Sequence, residues 1–217
     1  MRILTIVGVC LCSSLVFSEP VRKPNAAFQH PFYVGVTAGY GSTTWQGLVP
    51  SDANKSQAMS ISTPISVTEG GGVWGGFAGY ELNPYFALEA HYMHYPNAKV
   101  SFDEFSLFAF ENEGILDLHT QTETISVIAK VMLMVPRTTV RVYSAVGVAE
   151  THRRDELTDS RRFTPTFGMG LNYNLTEHIM AELGANYTAG YGESELNPAK
   201  DYVPFLYAGF VRLAYRI

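Results

Sequence analysis

Gly79-Tyr80-Glu81-Leu82-Asn83-Pro84-Tyr85-Phe86-Ala87-Leu88-Glu89-Ala90-His91-Tyr92 is the stretch on which the fold turns. Asn83-Pro84 reads as a tight turn, because proline fixes φ and lacks an N–H while asparagine bonds back to its own backbone. After the turn, Leu88, Ala90 and Tyr92 share one face, and Ala87, Glu89, His91 and Met93 share the other. A period of two with one polar face is a half-buried strand, so residues 72–82 and 85–95 pair as a hairpin with Glu89 on the non-apolar side.

The same alternation continues in both directions. Phe32, Val34, Val36, Ala38 and Tyr40 oppose Tyr33, Gly35, Thr37 and Gly39. Ile125, Val127, Ala129, Val131 and Leu133 oppose Thr122, Thr124, Ser126, Ile128 and Lys130. Further strands run from Val140, over 163–173, over 179–191 and over 205–217, and Arg141, Glu182, Arg212 and Arg216 each fall on the face away from the apolar residues. Eight strands result. Short turns at 83–84, 135–138 and 174–177 alternate with long polar stretches at 42–70, 95–118, 150–162 and 190–203. Apolar-out strands with aromatic ends, and connections alternately short and long, predict an all-β, closed antiparallel transmembrane β-barrel, an up-and-down meander of about eight strands. A lipid-facing Arg or Lys would cost about 2–4 kcal/mol at the bilayer midplane, and these strands place none there.

Residues 1–18 read as a cleaved export signal, with Arg2, an apolar run from Ile3 to Phe17 too short to span a bilayer, and small residues before the cut. Residues 19–31 form a short periplasmic lead and 32–217 the barrel. Both cysteines, Cys10 and Cys12, leave with the signal, which excludes disulfides, thiolate metal sites and cysteine catalysis. Thirteen Tyr, 13 Phe and 19 Gly with only 16% charged residues suit strands apolar on one face, and no second long apolar segment offers a membrane helix. The acidic balance argues against nucleic acid as a partner.

In the interior, Glu89 and Glu182 face Lys130, Arg141 and Arg212, and a dry lumen requires them to pair, since an unpaired buried charge costs several kcal/mol. Whether the ions only fix register or gate a passage stays open. The stretch 95–118 concentrates Phe102, Phe105, Phe108 and Phe110, which either contact a partner or fold over the barrel mouth; Trp45 and Trp74 suit the interfacial aromatic belt. Its acids Glu104, Glu111, Glu113 and Asp117 lack calcium-loop spacing. Arg153, Arg154, Arg161 and Arg162, interleaved with Asp155, Glu156 and Asp159, suit lipopolysaccharide phosphates or solvated ion pairs. His91, His94, His119, His152 and His178 are scattered and form no catalytic motif, so no catalytic, cofactor or metal residue is assigned.

The hairpin closely resembles the transmembrane domain of the OmpA family, which has the GY, NPY, Glu and Tyr similarly spaced. Looser similarity continues at Ala129-Lys130, Val142-Tyr143 and Tyr215-Arg216-Ile217. The resemblance implies an eight-stranded outer-membrane barrel whose interior salt bridges gate or plug it, with such roles for Glu89 and Lys130. Asn172 stands where that family would place an interior acid and Glu182 where it would place a base, so the partners are rearranged. The family often continues into a peptidoglycan-binding domain, whereas this chain stops at Ile217. Alternating Val211, Leu213 and Tyr215 resemble the signal read by barrel-assembly machinery.

The expectation is a structural barrel of the bacterial outer membrane, Gram-negative and porin-like in build, touching lipid and lipopolysaccharide. Its loops would serve contact or adhesion to a host or surface ligand. A narrow gated pore for small solutes is the first alternative and a lipid A-modifying enzyme the second.

Overall fold

The computed structural model describes residues 30–49, 63–191 and 202–217. The expected export signal, Cys10 and Cys12, and all but the end of the lead lie outside them.

Ten strands form one antiparallel system: β1 (Phe32–Thr43), β2 (Ser66–Thr68), β3 (Gly71–Asn83), β4 (Phe86–His94), β5 (Ala98–Ser101), β6 (Asp117–Met134), β7 (Val140–Arg154), β8 (Asp159–Asn174), β9 (Ile179–Thr188) and β10 (Leu206–Arg216). Eight of them close a barrel in the order β1-β3-β4-β6-β7-β8-β9-β10, with β10 returning to β1. A path across the strands runs from Tyr33 through Gly79, Glu89, Ile128, Gly147, Thr166, Thr188 and Leu206, and re-enters β1 at Thr43, ten residues from its start. A shear of ten over eight strands corresponds to a tilt of roughly 40° and a backbone radius of about 8 Å, an interior that side chains fill.

The turns at one rim are short for local reasons. Asn83 Oδ1 accepts from the amides of Tyr85 and Phe86 at 2.9 and 3.0 Å. Thr176 Oγ1 accepts from the amides of His178 and Ile179, and Arg137 takes the left-handed conformation between β6 and β7. The lipid face carries Val34, Val36, Leu88, Val127, Val146, Val148, Leu171, Leu183, Val211 and Leu213, all exposed. Phe32, Tyr80, Tyr85, Phe86 and Tyr215 ring it on the short-turn side, and Tyr40, Trp74, Tyr187, Phe205 and Tyr207 on the other. This is the apolar band between two aromatic girdles that a bilayer demands.

The far end departs from expectation in three ways. The stretch 150–162 is no long loop: β7 and β8 continue as a hairpin turned by Asp155, whose Oδ1 accepts from the amides of Leu157 and Thr158. The stretch 95–118 contains β5 and a short helix α1 (Leu107–Glu111), capped by the Ser106 hydroxyl; β2, β5 and the first residues of β6 make a small sheet beyond the barrel. Trp45 is not a girdle residue. It is fully buried with Leu48, Ala98, Val100, Phe102, Phe108, Leu118 and Tyr202 in a second apolar core.

Candidate functional site

The barrel interior holds its charges at two levels. At mid-height, Lys130 Nζ on β6 donates to Glu89 on β4 at 2.7 Å and to Glu182 on β9 at 2.6 Å. Arg212 on β10 reaches Glu182 at 3.1 Å and Glu89 at 3.5 Å. Tyr33 donates its hydroxyl to Glu89, and Lys130 lies 4.0 Å over the Tyr143 ring. His91 Nε2 meets Glu89 at 2.6 Å while its Nδ1 faces Arg212 at 3.2 Å. A guanidinium only donates, so Nδ1 accepts and the proton sits on Nε2, directed at Glu89. Side chains from opposite walls thus meet across the lumen at this level.

Nearer the short turns, Glu81 on β3 takes Arg141 on β7 through two bonds, at 2.8 and 3.1 Å, and also accepts from Arg216 on β10. Asn172 accepts from Arg141 at 3.0 Å. The sequence reading grouped Glu89, Lys130, Arg141, Glu182 and Arg212 together. Four of the five meet, whereas Arg141 belongs to the second cluster with Glu81 and Arg216. Glu81 was missed though legible, since it precedes the Asn83-Pro84 turn at the parity that faces Ala87; Arg216, read as interior beside Arg212, was left out of the ion group. The described lumen therefore carries four cations against three carboxylates. Above the ions, hydroxyls of Thr124, Ser126, Thr164, Thr166 and Thr188 on β6, β8 and β9 line one side, and Val73, Met93, Tyr95, Leu206, Ala208 and Phe210 pack as an apolar cluster on β3, β4, β10 and their ends.

Of the loop phenylalanines, Phe102 and Phe108 stack with ring centroids 3.7 Å apart inside the cap core, while Phe105 and Phe110 are 86% and 87% exposed. The arginines of 150–162 also divide. Arg153 is buried, 4.7 Å over the Trp45 ring, bonded to Asp155 and to the Tyr202 carbonyl at 2.6 Å. Arg154 and Arg161 lie on the outer surface near Asp159 and Glu150, and Arg162 stands over Tyr191. None of the five histidines weighed from the sequence meets another: His91 is in the lumen, His94 beside Trp74, His152 against Asp159, His119 exposed, and His178 at a short turn, where its ring packs 4.4 Å from that of His30. Among the described residues no group of three or more His, Cys, Asp or Glu is arranged to hold a metal.

Residues 9–203 match the family described as outer membrane protein β-barrel domain. The chain belongs to that family. This outer-membrane barrel is similar in structure to the neisserial surface protein A, with a TM-score of 0.50 and 13% identity over 86% of this chain and 97% of that one. Similarity of the same degree, 0.50, extends to OprG of Pseudomonas aeruginosa, at 11% identity over 87% of this chain and 96% of that one. The N-terminal barrel domain of Pseudomonas aeruginosa OprF is a third neighbour, at 0.47 and 15% identity over 85% and 97%. No curated protein sequence matches the chain. An eight-stranded barrel of the bacterial outer membrane, as the sequence led one to expect, is thereby established.

Proposed function

We propose that the barrel is a non-catalytic mount in the outer membrane whose work is surface contact through the segment between β5 and β6. The observation that carries this reading is the split among four phenylalanines. Phe102 and Phe108 anchor α1 in the cap core, and that anchoring holds Phe105 and Phe110 in water at more than four-fifths exposure. Leu107 and Leu116 add to the same exposed apolar surface, and Glu104, Glu111 and Glu113 surround it with acid. Exposed apolar groups on an ordered support, rimmed by charge, mark an interaction surface. Lipopolysaccharide and the barrel-assembly machinery, which would read the Val211, Leu213 and Tyr215 alternation, are the partners that such a mount needs in its own envelope.

The test is adherence to epithelial monolayers by a non-adherent Gram-negative strain displaying the barrel. Phe105→Ser with Phe110→Ser should abolish adherence while the heat-modifiable band of the folded barrel persists. Undiminished adherence would reject the surface.

A narrow pore is the second reading, favoured by the hydroxyls along the β6, β8 and β9 side of the upper lumen; the mid-height ions and the apolar cluster of Val73, Met93, Tyr95 and Phe210 would be its barriers. It makes a separate prediction, given below.

A further inference from the structure

Outside the barrel wall, at the rim carrying the long connections, lies a cleft of about 410 Å³ lined by Tyr40, Ser42, Gln46, Val67, Thr68, Glu69, Gly70 and Tyr207. Tyr40 on β1 and Tyr207 on β10 both point outward from paired strands, and the register that sets Ser42 opposite Tyr207 makes the two rings diagonal neighbours. The chain at Thr68-Glu69-Gly70 comes down over them. Gly70 has φ +91°, and a Cβ there would stand 3.0 Å from the Tyr40 hydroxyl, so glycine both makes the bend and admits the ring. Glu69 is half-buried; its carboxylate accepts from the Trp45 amide at 2.8 Å and from the Thr43 hydroxyl at 3.2 Å, contacts that fix its orientation.

Two exposed aromatic rings beside a fixed carboxylate, an amide and a hydroxyl define a narrow chemistry. An acyl chain would strip water from Glu69 and Gln46 without replacing its hydrogen bonds. A phosphate would meet the Glu69 carboxylate as a like charge. A sugar ring satisfies both halves, with C–H faces for the tyrosines and hydroxyls to donate to the carboxylate and the Gln46 oxygen. We propose that this cleft binds a hexose unit of a glycan, packed on Tyr40 and Tyr207 and hydrogen-bonded by Glu69 and Gln46. The cleft sits at the outer aromatic girdle, level with lipid headgroups, so the hexose comes either from a neighbouring glycolipid of the outer leaflet or from a soluble glycan.

The experiment uses the full barrel in phosphatidylcholine nanodiscs, titrated calorimetrically with phosphate-free core oligosaccharide. A parallel arm measures co-purification of lipopolysaccharide, against phosphatidylglycerol, from mixed-lipid discs. Thr68→Trp fills the cleft from an exposed position and should abolish saturable binding. Glu69→Gln should weaken it about tenfold, as expected for loss of a hydrogen bond to a charged group. Binding in the soluble arm assigns a soluble glycan; variant-sensitive retention in the lipid arm alone assigns a glycolipid headgroup. Glycan binding that Thr68→Trp leaves intact, or glycan binding in neither arm, overturns the proposal. Heat-modifiable migration of both variants confirms that the barrel itself has folded.

Discussion

Lys130 and Glu89 meet at 2.7 Å in the middle of the barrel although 41 residues separate them in the chain. They stand on the paired strands β4 and β6, and the register sets Lys130 opposite Ala87 rather than opposite Glu89, so the contact is diagonal. Lys130 is fully buried, and its ammonium also bridges to Glu182. With Arg212, which reaches the same two carboxylates, it lets them share one low-dielectric space.

Lys130→Met should leave Arg212 as the one cation shared by Glu89 and Glu182 among the described residues. Breaking a buried ion cluster by removing one partner costs about 3–5 kcal/mol. Urea titration of the barrel refolded in lipid vesicles should show a loss of that order, and a change below about 1 kcal/mol would mean that water already screens the site.

Conductance separates plug from pore. With the lumen crossed at Glu89, Lys130, Glu182 and Arg212, the wild type should be nearly silent in planar bilayers. Glu89→Ala removes the acceptor shared by Tyr33, His91, Lys130 and Arg212 and should alter conductance if these ions gate a path. Silence in both proteins eliminates the pore reading.

Gly79 makes room for the Tyr33 ring, since a Cβ there would fall 2.4 Å from its Cζ. Gly79→Ala must displace the tyrosine that bonds Glu89, at about 1–3 kcal/mol. In a Tyr33→Ala background the same substitution should cost far less. Equal costs in the two backgrounds would show that the ring is not what requires the glycine.

Arg153→Met should loosen the cap and spare the barrel. Its guanidinium covers Trp45 and ties β7 to the Tyr202 carbonyl. In a Trp74→Phe background, Trp45 emission should shift to the red while heat-modifiable migration persists. An unshifted emission would place the cap's stability elsewhere.

Burial raises the Glu69 carboxyl above its ordinary value of 4.5, against the lowering effect of the hydrogen bonds from Trp45, Gln46, Thr43 and Ser42. The folded cap thus binds this proton more tightly than the unfolded chain. The associated stability is full below the ordinary carboxylate range and is lost as pH rises through the raised folded value. Relative to Glu69→Gln, the wild-type cap should have its highest urea midpoint, followed by Trp45 emission, at acid pH. A difference that does not vary with pH would contradict the shift.

Strand facing was legible because lipid imposes it: along β1, β4, β6 and β10 every outward residue within the band is apolar, small or aromatic, and the alternation follows. That constraint stops at the headgroups. Beyond them β7 and β8 run on through Thr151-His152-Arg153-Arg154 and Asp159-Ser160-Arg161-Arg162, where polar residues occupy both faces and period two leaves no apolar trace, so the hairpin read as a loop. Phe102, Phe105, Phe108 and Phe110 likewise gave a composition without a direction. Only the packing of α1 against Trp45 and Leu118 decides which two are core. Arg141 was legible as an interior cation but grouped with carboxylates at another height, because parity fixes the side of a strand and only the register of all eight fixes the height.

Closure between the first strand and the last has an electrostatic corollary for assembly. Until β10 arrives, the nascent sheet holds Glu81, Glu89 and Glu182 against Lys130 and Arg141, a surplus of negative charge on its concave side. The missing piece brings Arg212 to the Glu89–Glu182 pair and Arg216 to Glu81, and seats them by pairing with β1 and β9. The final segment is thus drawn in as a counter-ion as well as hydrogen-bonded in as a strand, and a sheet lacking it would stay open, hydrated and acidic within.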